Sequence, residues 1–311
     1  MGGVGGSGAR SPRRRLKTRL TAVTAALLVW VAVAALFVLS VPVLMRGPDT
    51  GGSLFGPRVA LIEIDGIIVD VDDIVRELKA HRENPTVRAV VVRINSPGGV
   101  VGPTQEVHDA LMRVRQAGKP VVASLGSVAA SGGYYIAVAA DQIYANPGTL
   151  TGSIGVIMQM ANFEELMKKV GVNYVVIKAG KFKDMGNFSR PMSPDERRVL
   201  QEMLDNVHGQ FIDAVAAGRK LDRAQVVQFA DGRIFSGTQA KGLKMVDALG
   251  GLEDAVGAAA KLAGIPSPPS VMAPRRRFSI MDLLRSQLGV SYDSLLRPAL
   301  PVFKAPLYLM D

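Results

Sequence analysis

Ser131 lies in "SVAASGGYYIA", residues 127–137, between two alanines and two glycines, where an apolar strand-like run gives way to a helix-like one. A serine at that junction has the setting of a nucleophile: the N–H of Gly132 and the start of a helix stand beside its hydroxyl, where negative charge would develop. The plain alternative is a helix N-cap. A second stretch, "RINSPGGV", runs a strand into Pro97, Gly98 and Gly99, and the missing side chains let backbone N–H groups converge on a ligand. Two such donors make an oxyanion hole, and a simple turn is the competing reading. A nucleophile also needs a base. The histidines His81, His108 and His208 all lie outside these stretches. "AASGG" differs from the nucleophile elbow G-x-S-x-G only by Ala129, so a Ser/His hydrolase using His208 is one reading, although His208 falls inside a long helical pattern.

The elements that must position these residues alternate in type. "RVALIEIDGIIV" predicts a strand and turn, "DDIVRELKAH" a helix, "VRAVVVRIN" a buried strand, "TQEVHDALMRVRQAG" a helix ended by Gly118, and "KPVVASLG" a strand. "DQIYAN", "IGVIMQM" and "VNYVVIKAG" read as further strands. Ser193, Pro194 and Glu196 open a long helix with a capping box. Continuous β-branched runs between helices argue for an α/β protein with a mostly parallel sheet covered on both faces. Both reactive stretches then end strands.

Composition bounds what such a site can be. With no cysteine, disulfides, thiolate catalysis and zinc-thiolate sites are excluded, and no metal or cofactor is expected. The net charge of +10 is concentrated at one end: the first 20 residues hold six basic groups and no acidic one, leaving 31 against 27 elsewhere. The body therefore lacks the basic stripe of a nucleic-acid-binding protein. Residues 20–45 contain no charged residue and exceed the about 20 apolar residues needed to span a bilayer. The basic tract ahead of them predicts a cytoplasmic N-terminus and an outward-facing body. A signal peptide cleaved near Ala34 is the competing reading, disfavoured because the apolar run continues beyond it. The expected organisation is a basic tail over 1–19, an anchor over 20–45, a linker over 46–57, the catalytic domain over 58–264, and a proline-rich connector with an apolar tail over 265–311. "GVGGSG" near the start follows no strand and reads as flexible tail.

Taken together, "RINSPGG", "SLGSVAASGGYYIA", "ANPGTLTGSIGVI" and "KAGKFKDMGNFSRPMSPDER" resemble the signal peptide peptidase A family of membrane-anchored serine proteases, related in fold to the Clp protease and crotonase group. The likeness runs from about Val59 to Ala263. It implies a Ser/Lys dyad in which Ser131 is the nucleophile, Lys183 the general base, and Ser153 the residue that orients the lysine. It implies an oxyanion hole from Gly98 or Gly99 together with Gly132. A lysine at its ordinary pKa of about 10.4 is protonated at neutral pH, so the base must be desolvated to act. Phe182 and Met185 suit that need and Asp184 opposes it, while spacing alone does not choose between Lys183 and its neighbours Lys178 and Lys181. The resemblance further implies apolar peptide substrates such as signal-peptide remnants, a bacterial inner-membrane location, and a homo-oligomer whose neighbouring chains complete the groove. A non-catalytic crotonase-like scaffold is the reading from another class.

Overall fold

The computed structural model describes residues 2, 29–36, 56–274 and 307–309, and the chain divides into a unit up to Gly51 and one from Gly52 onward. In the first unit, residues 29–36 form helix α1 with exposed side chains. The rest of the expected anchor over 20–45 lies outside the described residues, as does nearly all of the expected tail over 1–19. Among the described residues no helix is long and apolar enough to cross a membrane.

The second unit is built on a mostly parallel sheet. Strands β1 (Arg58–Asp65), β2 (Val87–Ser96) and β4 (Val121–Ala130) form its centre in the order β4-β2-β1, all parallel. Helices α2 (Asp72–Glu83) and α3 (Val101–Gln116) make the crossovers between them. The valine-rich runs are strands because both faces are buried. On β2, Val90, Val92 and Ile94 join the larger core with α3, whereas Ala89 and Val91 face Ala255 and Ala259 of α9 (Leu252–Leu262) on the other side. Period-two alternation thus serves two cores at once.

Two short strands flank the end of β4. β5 (Gln142–Ala145) pairs with its first half, and β6 (Leu150–Gly152) pairs in parallel with its last three residues. β7 (Ile234–Ser236) closes that edge antiparallel to β6. At the far edge β9 (Ser270–Met272) pairs with β1, so the connector predicted over 265–311 itself extends the sheet. The segments "IGVIMQM" and "VNYVVIKAG", read as strands, form none: Val172–Ile177 has no sheet partner among the described residues, and Ile177 is 97% exposed. The long helix α6 (Pro194–Arg219) starts as expected, with Ser193 Oγ accepting from the Glu196 N–H and Glu196 accepting from the Ser193 N–H.

Candidate active site

Ser131 is the residue at which β4 turns into α4 (Gly132–Ala137). Its backbone holds φ 51°, a left-handed conformation that side chains other than glycine rarely take and that costs about 1–3 kcal/mol. Two hydrogen bonds hold it there: its N–H donates to the Gly152 carbonyl at 2.8 Å, and its carbonyl accepts from the Tyr135 N–H at 2.8 Å. The sharp turn leaves the hydroxyl buried with no hydrogen-bond partner. A buried, unsatisfied hydroxyl is unfavourable in a resting structure, so an outlier of this kind points to function.

The glycine strand faces it. β3 (Gly98–Val100) leaves the end of β2, and Gly98 takes φ 109°. The Gly98 N–H is spent on Ser96 Oγ at 3.1 Å. A Cβ on Gly132 would lie 3.2 Å from Gly99 N, 3.2 Å from Gly98 Cα and 2.9 Å from Thr104 Oγ1, so the two glycine stretches approach as closely as missing side chains allow. The Gly132 N–H opens a helix and has no intrahelical acceptor. A Cβ on Gly99 would overlap the Ile68 carbonyl, which receives the Val100 N–H at 2.8 Å.

Ser153 comes next to Ser131 by register. Ala130 pairs with Gly152, and each strand then ends in a serine with positive φ, 51° and 50°. Ser153 is buried, and its N–H donates to the Arg233 carbonyl at 2.8 Å.

Lys183 lies in a turn that begins after Gly180, with its own N–H bonded to the Gly180 carbonyl at 3.2 Å. Its side chain is exposed, in contrast to the desolvation expected of a base, and it makes no hydrogen bond to Ser131. The surrounding charges are nonetheless sorted. Lys178 is paired with Asp184, and Lys181 with Asp195 at 2.6 Å, which leaves Lys183 as the one of the three without a carboxylate partner among the described residues. Arg190 binds Asp184 at 3.0 Å and Glu196 at 2.5 and 2.9 Å. The Lys178 ammonium and the Arg190 guanidinium hold the Asp184 carboxyl down at about 2. Arg190, with the Ser193 N–H, does the same to Glu196, also to about 2. Asp184 is thereby turned to these two cations and not to Lys183.

His208 sits in mid-α6, and its Nε2 has no partner. His81 stands near Glu77, and His108 near Asp109 and the Tyr135 ring. Among the described residues no cluster of His, Cys, Asp or Glu is placed to hold a metal. A groove of about 930 Å³ lined by Tyr144, Asp254, Lys261 and Pro268 contains none of the predicted residues.

Sequence reasoning missed Ser96, Thr104 and Arg190. Ser96 stands inside the "RINSPGG" motif and was the most findable of them. Thr104 acts beside both glycine stretches, its hydroxyl donating to the Val100 carbonyl at 2.8 Å, and Arg190 acts on the Lys183 loop through Asp184 and Glu196.

Comparison with known proteins places the chain in a family. The model of peptidase family S49 matches residues 113–266. A protein of Synechocystis that carries a protease name is 47% identical over 210 residues, covering 67% of this chain and 75% of that protein. Protease 4 of Salmonella typhi is 36% identical over 224 residues, 69% of this chain and 35% of that protein. The chloroplastic serine protease SPPA of Arabidopsis thaliana is 33% identical over 217 residues, 70% of this chain and 32% of that protein. The chain belongs to peptidase family S49. Within that family it is a member of the SppA group, and it spans about a third of the length of its Salmonella and Arabidopsis relatives.

Proposed function

We propose that this chain is a membrane-anchored serine endopeptidase that cleaves apolar peptides, such as signal-peptide remnants, with Ser131 as nucleophile and Lys183 as general base. The observation that carries the reading is Ser131 itself: buried, held at a strained φ, and without a partner for its hydroxyl beside two glycine backbones. Ser131 Oγ attacks the scissile carbonyl and gives its proton to Lys183, which passes it to the leaving amine. The Gly99 and Gly132 N–H groups bind the resulting oxyanion. Gly99 is preferred to Gly98 because the Gly98 N–H already has an acceptor. Ser153, emerging beside Ser131, orients the lysine.

The exposure of Lys183 in a single chain fits an assembly in which a neighbouring copy buries it and completes the site. Burial disfavours the ammonium, and that turns a lysine into a base. The Clp protease and crotonase likeness of the fold, the inner-membrane location and the outward-facing catalytic domain belong to the same reading, supported by the motifs and by the apolar stretch over 20–45.

Peptide hydrolysis by point variants tests it. Ser131→Ala and Lys183→Ala should each abolish cleavage without loss of folding, Lys183→Arg should stay inactive because a guanidinium remains protonated, and His208→Ala should keep full activity. Loss on His208→Ala with retention on Lys183→Ala would establish a Ser/His enzyme instead. A parent as inert as its variants would favour the scaffold.

A further inference from the structure

Two buried hydroxyls hold the glycine strand β3, one at each end. Ser96 and Thr104 are both fully shielded from solvent, and neither hydrogen-bonds Ser131. At the first end, Ser96 Oγ accepts from the Gly98 N–H at 3.1 Å and donates to the Gly98 carbonyl at 3.4 Å, so one hydroxyl touches both peptide planes that meet at Gly98. Gly98 sits between those planes at φ 109°, a conformation that glycine alone takes readily. The Ile68 N–H donates to the same carbonyl at 2.9 Å. A peptide group is planar and trans, so the Gly99 N–H must point opposite to the Gly98 carbonyl. Fixing that carbonyl aims that N–H. At the second end, Thr104 Oγ1, in the first turn of α3, donates to the Val100 carbonyl at 2.8 Å. The same oxygen lies 2.9 Å from where a Cβ on Gly132 would stand, and Gly99 N lies 3.2 Å from that point. Ser96 meets α4 as well, because its carbonyl lies 2.9 Å from where a Cβ on Gly133 would stand. Each of the two residues therefore contacts both the glycine strand and the helix that Ser131 opens.

From these contacts we infer that Ser96 and Thr104 are positioning residues, whose hydroxyls set the direction of the Gly99 N–H and its distance from the Gly132 N–H. They act through those two donors and not on the substrate. Donors held in place beforehand stabilise charge as it develops without having to turn at the moment of reaction, so the effect falls on the transition state and spares peptide binding. A first-turn threonine that merely bonds the carbonyl four residues earlier is the plain alternative for Thr104. Such a bond would be indifferent to the chemistry. That the aimed N–H groups receive an oxyanion rests on the protease reading, whereas their being aimed by two hydroxyls does not.

The test separates binding from chemistry. Ser96→Ala removes one oxygen and leaves the Gly98 N–H to seek another acceptor, and Thr104→Val removes the hydroxyl while keeping the branched shape. Each should lower kcat for an apolar peptide by about 10- to 100-fold and leave KM within about twofold, since losing a donor outright costs about 10²- to 10³-fold. Thr104→Ser, which restores the hydroxyl and its bond, should recover kcat to within about threefold of the parent. A peptide boronate, which forms a tetrahedral adduct on Ser131, should lose affinity by the same factor as kcat. In the Ser131→Ala background, by contrast, the peptide should bind equally well with and without either change. Unchanged kcat in either variant, a loss carried by KM, or a Thr104→Ser chain as slow as Thr104→Val overturns the inference.

Amide hydrogen exchange of the full chain supplies a readout that needs no hydrolysis. Both variants should speed exchange over residues 98–100 by about tenfold and leave α6 unmoved, because the loosening is local. A parent that hydrolyses nothing while its variants show that change sinks the protease reading and upholds the positioning. One that hydrolyses peptide, with kcat and exchange unmoved by either variant, does the reverse.

Discussion

At the scale of single residues the proposed site depends on keeping charge away from one lysine. Asp184 follows Lys183 directly, and a free carboxylate there would favour the ammonium form. Lys178 and Arg190 occupy it instead, while Lys181 is paired with Asp195 and Glu196 with Arg190. Replacing both holders, Lys178→Gln with Arg190→Gln, releases Asp184 toward Lys183. The ammonium is then stabilised, so the limb of activity that rises with pH should move up by about one unit, the usual effect of an opposite charge within a few ångströms. Adding Asp184→Asn should bring the limb back. A triple variant whose profile matches the double would show that Asp184 does not act on the base. A second residue-scale prediction concerns Gly132. A methyl there would stand 2.9 Å from Thr104 Oγ1 and 3.2 Å from Gly99 N, forcing the donors apart. Gly132→Ala should lower kcat by about 10²-fold, the cost of losing one oxyanion donor, with the circular dichroism spectrum unchanged.

At the scale of elements, the loop that carries Lys183 is fastened to the start of α6. Glu196 closes the capping box with Ser193 and also takes Arg190, which reaches back to Asp184. Ser193→Ala should destabilise this end by about 1 kcal/mol. Both carboxylates are held low, Asp184 from 3.8 and Glu196 from 4.5, each to about 2. A depressed folded pKa gives stability that is fully present above the unfolded value and is lost as pH falls through the folded one. Proteolysis of the 178–190 loop should accordingly accelerate as pH drops from about 4.5 toward 2, and Glu196→Gln should flatten that response. The sequence made this capping box readable because its residues are neighbours in the chain. It also made β1, β2, β4 and the intervening helices readable, because burial on two faces leaves long β-branched runs, and it placed Ser131 at a strand-to-helix junction. It misled at "VNYVVIKAG", where high strand propensity meets no partner strand. The bond from the Gly98 N–H to Ser96 Oγ is a local one inside the motif that residue types alone do not announce, while the pairing of β10 (Leu307–Leu309) with β3 depends on a contact between distant segments and leaves no local pattern.

At the scale of the whole molecule, two features of the single chain lack counterparts among the described residues. The hydroxyl of Ser131 has no partner, and Lys183 has no covering surface. Close to Lys183 in sequence runs a stretch of exposed apolar residues, Leu166, Val170, Val172, Tyr174, Val175 and Ile177. Apolar surface of that extent marks a contact with another macromolecule, and a second copy of this chain would both bury it and carry a lysine to a serine. If the dyad forms across copies, Ser131→Ala and Lys183→Ala protomers are each inert alone but complementary, since a Lys183→Ala chain still offers its serine and a Ser131→Ala chain its lysine. Unfolding and co-refolding the two in equal amounts should recover activity, up to about a quarter of the parent's for random closed assembly, because one in four junctions then joins an intact serine to an intact lysine. Val175→Lys with Ile177→Lys should reduce association in sedimentation velocity and remove activity in parallel. Mixed assemblies that form and stay inert would place both members of the dyad in one chain, with Lys183 reaching Ser131 by movement of its own loop.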